Sequence, residues 1–101
     1  MNNPVVADRP LEPLGFYQFA VSTSPLGLPS VPPDASYAYI QAQVGLIRWR
    51  DDGTAPTGTS GHLFDNLDDL WYIGDLHKFQ VIRDSGESGS TELSVTYYKV
   101  A

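Results

Sequence analysis

Seven of the eight prolines (Pro4, Pro10, Pro13, Pro25, Pro29, Pro32 and Pro33) fall within the first 33 residues. Proline fixes φ and has no N–H to donate, so this third cannot carry continuous helix or central sheet. Residues 1–13 therefore read as an extended arm whose apolar groups include Val5, Val6 and Leu11. Leu14 to Thr23 (LGFYQFAVST) is rich in aromatics and predicts a strand. Residues 24–34 (SPLGLPSVPPD) predict a proline-rich loop. Its Leu26, Leu28 and Val31 are more apolar than a solvated linker needs. They either pack back onto the domain or dock on a neighbouring subunit.

From Tyr37 the pattern becomes one of short strands broken by turns. Ala38, Ile40, Ala42 and Val44 alternate with Tyr37, Tyr39, Gln41 and Gln43, which gives a strand two distinct faces. Gly45 interrupts it as a bulge or tight turn. Leu46 to Arg50 continues, with Ile47 and Trp49 facing one way and Arg48 and Arg50 the other. Asp51-Asp52-Gly53 is a turn signal, because Gly accepts positive φ and Asp caps local N–H groups. Thr54 to Gly61 predicts a surface loop, Asp65 to Asp69 an acidic turn and Asp84 to Ser90 a hairpin-type loop. Strands are expected at His62–Phe64, Leu70–Ile73, Phe79–Arg83 and Thr91–Val100. Phe79 and Val81 share a face, as do Leu93, Val95 and Tyr97. Leu67 to Leu76 is the best helix candidate, but Trp71, Tyr72 and Ile73 favour strand.

Turns at this rhythm predict an all-β fold. The expected architecture is a compact antiparallel β-sandwich of seven or so strands, jelly-roll-like in one form it can take. Residues 14–101 would make a single domain behind the proline-rich arm. A fold this small has a thin core. With no cysteine in the chain, packing or association must supply its stability.

Composition narrows the function further. The formal charge is −6, and an acidic surface repels phosphate backbones, so nucleic acid is not an expected direct partner. No stretch has the roughly 18 apolar residues that span a bilayer, and Met1 to Pro4 lacks a signal-peptide start. A protein made in the cytoplasm, with no membrane partner, is expected.

Catalytic and metal chemistry find little support. His62 and His77 are the only side chains that ordinarily titrate near neutrality, and no Gly-x-Ser-x-Gly elbow accompanies them. Asp65, Asp68, Asp69 and Asp75 lack the alternating spacing of a calcium loop, so a solvated acidic turn is the better reading. No cofactor is expected. Trp49, Trp71, Tyr72, Tyr97 and Tyr98 could form a sugar platform, but a thin core also needs its aromatics. In Ile47 to Gly61 (IRWRDDGTAPTGTSG), Arg48, Trp49 and Arg50 are either a local ion-pair cluster or anchors for a partner.

That segment resembles small virion proteins of tailed bacteriophages. In them a strand ending Ile-Gln-Ala precedes Val-Arg-Trp-Arg-Asp-Asp-Gly, then Pro-Thr, and the chain closes with a Leu-x-Val-x-Tyr-Tyr strand. Here the counterparts are Ile40-Gln-Ala, Ile47-Arg-Trp-Arg-Asp-Asp-Gly53, Pro56-Thr57 and Leu93-Ser-Val-Thr-Tyr-Tyr98. The likeness spans residues 37–100. It implies a non-enzymatic structural role in the virion, foremost capsid decoration or cement. The partners would be the major capsid protein or other virion proteins, and the chain would act as a homo-oligomer. Val5, Val6, Leu11, Leu26, Leu28, Val31, Arg48, Trp49 and Arg50 are then the expected contact residues. A neck, tail or head-fibre component, or a carbohydrate-binding or host-adhesion module, is the alternative.

Overall fold

The computed structural model describes residues 10–101. Eight strands and no helix form among them. In chain order they are β1 (Leu11–Ala20), β2 (Leu26–Gly27), β3 (Tyr37–Val44), β4 (Ile47–Arg50), β5 (His62–Phe64), β6 (Asp69–Tyr72), β7 (Gln80–Arg83) and β8 (Glu92–Val100). They make two antiparallel four-stranded sheets, ordered β1-β8-β3-β6 and β2-β7-β4-β5. Only the β4–β5 connection joins neighbours in one sheet; every other connection crosses to the opposite sheet. The all-β expectation therefore holds, in a sandwich-like arrangement. The Asp84–Ser90 loop is not a hairpin, because β7 and β8 belong to different sheets.

The core is built by period-2 alternation. Leu93, Val95 and Tyr97 of β8 are fully buried, and Ala42, Ile40 and Ala38 of β3 stand directly opposite them. The small residues make room: Ala38 lies beside the Tyr97 ring and Ala42 beside Leu93. From the other sheet come Ile47, Phe64, Phe79 and Val81, which join the same apolar cluster. One cluster fed by both inner faces is what holds the sheets together.

Several expected boundaries shift: β1 ends at Ala20, not Thr23, and β6 runs Asp69–Tyr72, leaving Ile73 outside it. Strand β1 starts at Leu11, not Leu14, because β8 runs on to Val100 and offers partners for Leu11, Glu12 and Pro13. Pro13 is tolerated since β1 is an edge strand, and the register slips between Pro13 and Gly15. The expected extended arm thus loses its last three residues to a sheet. Val44 departs from the face of Ala38, Ile40 and Ala42. A bulge at Gln43 turns it outward opposite Glu92, where it is exposed.

Gly45 makes the crossing from β3 to β4 possible. Its φ is +83°, and a Cβ there would stand 2.6 Å from Thr91 Cγ2 and 2.8 Å from the Ser90 carbonyl. Gly45→Ala should therefore lower stability by about 2 kcal/mol or more, from left-handed strain plus overlap with backbone. Chemical denaturation checks this, since an unchanged midpoint would mean the crossing is not tight. Leu67 is the converse case, a non-glycine residue at φ +68° with a side chain 63% exposed. Leu67→Gly relieves the strain and forfeits little burial, so it should raise stability by up to about 1 kcal/mol.

Candidate binding surfaces

The Arg-Trp-Arg segment is largely satisfied within its own chain. On β4, Arg48 donates from Nε to Asp84 Oδ1 at 2.5 Å and from its guanidinium to the Gly61 carbonyl at 3.0 Å. The Gly86 N–H also donates to Asp84, and together with Arg48 holds that carboxyl below its ordinary range. Glu87 is held low in the same way, by the N–H groups of Gly89 and Leu46. Trp49 faces inward, stacked on Phe79 at 4.9 Å and 17°, with His62 against its ring at 4.7 Å. Arg50 forks onto Asp52 at 3.0 and 2.5 Å, and this contact keeps the Asp52 carboxyl at about 2. Such an exposed pair fixes the turn but adds little stability.

At the mouth of this hairpin lies a cleft of about 330 Å³ lined by Arg50, Asp51, Asp52, Ser60, Gly61 and His62. It brings a histidine alongside carboxylates, the juxtaposition that a histidine-based hydrolase requires. The carboxylates are already committed. Asp52 binds Arg50, and Asp51 accepts the Tyr72 hydroxyl at 2.8 Å. Among the described residues no hydrogen bond joins His62 to either acid or to Ser60. The acidic turn is likewise engaged. Asp68 accepts the Asp65 N–H, Asp69 the Tyr39 hydroxyl and Asp75 the His77 N–H. No three His, Asp or Glu side chains among the described residues group closely enough to hold a metal ion.

The proline-rich loop folds onto its own domain. Leu28 and Val31 pack against the core, and Tyr97 donates its hydroxyl to the Pro29 carbonyl at 2.5 Å. Within that loop Leu26 and Gly27 form β2, paired with β7, and the Leu26 side chain stays exposed. Leu11 is half-buried on β1. Val5 and Val6 lie outside the described residues. Of the expected contact residues within the described range, only Leu26 points chiefly outward; Arg50 lines the cleft.

A surface the sequence did not assemble is the outer face of β1-β8-β3-β6. Cross-strand register places Phe16, Thr96, Tyr39 and Trp71 in one row and Gln18, Ser94, Gln41 and Asp69 in the next. Tyr98 and Tyr37 pair in a third. The Trp71 ring lies 5.2 Å from both Tyr39 and Tyr98. Gln43 Nε2 donates to Gln41 Oε1 at 3.1 Å and to Ser94 Oγ at 2.9 Å. Of the five aromatics proposed as a sugar platform, Tyr72 and Tyr97 are buried and Trp49 packs against the core, leaving Trp71 and Tyr98 outside. The Tyr37/Tyr39/Gln41/Gln43 alternation was visible in sequence. Its neighbours on β6 and β8 were not, because strand order is non-local.

Scans against protein-family models, curated proteins and solved structures find no match. No helix among the described residues is long and apolar enough to cross a membrane.

The depressed carboxyls give stability a pH dependence with a definite sign. Asp84 and Glu87 ionise more easily folded than unfolded, so their contribution is complete above the ordinary carboxylate range, about pH 4. It is lost as pH falls through the lowered values. Urea midpoints should decline on acidification, and Asp84→Asn should both lower the neutral midpoint and flatten the decline. Parallel pH profiles for the two proteins would remove Asp84 from the account.

Proposed function

We propose that this protein is a non-enzymatic structural component of a tailed-phage virion, a decoration or cement protein bound to the capsid as an oligomer. The observation that carries this reading is the strand order, β1-β8-β3-β6 over β2-β7-β4-β5. We read it as a jelly roll of two Greek keys, an architecture that viral capsid proteins and lectins use. Fold alone does not fix function. The reading therefore also draws on the phage-like segments between residues 37 and 100.

Capsid contact is assigned to the N-terminal residues, with Val5 and Val6, and to the edge strands carrying Leu11 and Leu26. An edge strand has unpaired N–H and C=O groups, which a neighbouring chain can match by strand addition. The charge of −6 keeps such a protein from being captured by packaged DNA.

Cosedimentation with empty and expanded heads, alongside the protein's own solution mass, tests this. Saturable binding at a fixed copy number per capsid subunit is expected, and deletion of residues 1–9 should weaken it without lowering the unfolding temperature. A soluble monomer that ignores heads would contradict the capsid assignment and direct attention to the neck, tail or fibre.

A further inference from the structure

The outer face of β1-β8-β3-β6 has a composition that neither packing nor strand pairing requires. Its three central rows contain Phe16, Tyr39, Trp71, Tyr37 and Tyr98 among Gln18, Gln41, Ser94, Thr96 and Asp69. They include no lysine or arginine, and no leucine, isoleucine or valine. Phe16 is 60% exposed although it is a large apolar side chain.

We propose that this face binds an uncharged carbohydrate chain. A pyranose ring has one face of C–H groups, which settles on an aromatic ring, and a rim of hydroxyls, which accepts hydrogen bonds from amide N–H groups and donates them to carboxylates. Both halves are present here. Tyr39, Trp71 and Tyr98 form a continuous aromatic strip, and Gln41, Gln43 and Asp69 lie beside it, with Ser94 buried beneath Gln43. The polar side chains are already braced. Gln43 bridges Gln41 and Ser94, Tyr39 donates to Asp69 at 2.9 Å, and Gln18 donates to Glu92. Bracing lowers the entropy lost when a ligand is bound.

Charge selects among possible occupants. With no cation in these rows, anionic glycans and nucleic acids gain no attraction and meet Asp69 and Glu92 instead. The rows also lack arginine, one of the commonest anchors at protein interfaces, while their amides and hydroxyls match the hydroxyl rim of a sugar. The strip spans three adjacent strands, β8, β3 and β6, about 4.8 Å apart, and is therefore about 10 Å wide, which suits an oligosaccharide better than a single sugar. The inference does not depend on the capsid reading, since it concerns the isolated domain.

The chain has two tryptophans, one on this face and one packed against the core, so their indole signals in a ¹H–¹⁵N NMR spectrum report separately. The probes are uncharged malto-, cello-, manno- and galacto-oligosaccharides at up to about 10 mM, with oligogalacturonate as the acidic control. At least one neutral probe should shift the Trp71 signal saturably and leave that of Trp49 in place, with Trp71→Phe assigning the signals. Tyr98→Ala should weaken that binding roughly tenfold. Gln41→Ala, a change on the same face outside the aromatic strip, should weaken it too if Tyr98→Ala proves unstable. No shift with any neutral probe would overturn the inference, as would equal binding of oligogalacturonate. A response at Trp49 alone would overturn it as well, because it would move the site to the hairpin cleft.

Discussion

The pairing of β8 on both of its edges is the constraint on which the rest of the structure depends. It is the last strand in the sequence, yet it sits inside its sheet between β1 and β3. Its inner residues Leu93, Val95 and Tyr97 supply fully buried bulk, and β3 answers with Ala42, Ile40 and Ala38. The first sheet is therefore incomplete until the C-terminal residues are in place, and most of its contacts join distant parts of the chain. Such a fold is cooperative and slow to nucleate by local structure alone.

The second sheet is tied to the first at its ends as well as through the core. Leu46 and Gly45 bring the chain across, and the β7–β8 link reaches back with Asp84 on Arg48 and Glu87 on the Leu46 N–H. Thr91 donates its hydroxyl to the Val21 carbonyl, and the Val21 N–H returns to the Thr91 carbonyl at 3.0 Å. The conspicuous Arg-Trp-Arg-Asp-Asp-Gly segment is thus substantially a structural device. Arg48 is held by the β7–β8 link, Trp49 is packed on Phe79 and Arg50 is fixed by Asp52.

How much of this was legible in the sequence follows from the range of each interaction. The alternations over Tyr37–Ala42 and Leu93–Tyr97 are local and were readable, as was the turn at Asp51-Asp52-Gly53, where Gly53 has φ +88°. The bulge that turns Val44 outward was hidden, because it reflects a register set by β8. The strand through Pro13 was hidden for the same reason, since proline argued against it and only the length of β8 decided it. Leu28 and Val31 announced themselves as apolar within a loop, but their destination was a core not yet assembled. The outer aromatic face was the least legible. Its members come from four strands, and only the sheet order sets them side by side.

Two surfaces enter the proposals made above. We propose the edge strands β1 and β2 as the side that docks on the capsid, together with the N-terminal residues. The outer face carrying Tyr39, Trp71 and Tyr98 is proposed to stay clear of it. Hydroxyl-radical footprinting of the protein free and bound to phage heads tests this division most directly. The account predicts that Leu26 and the N-terminal residues become protected on the particle, while Trp71 and Tyr98 stay as reactive as in the free protein. Protection of Trp71 and Tyr98 with Leu26 unchanged would contradict it, because the aromatic face would then be the docking surface.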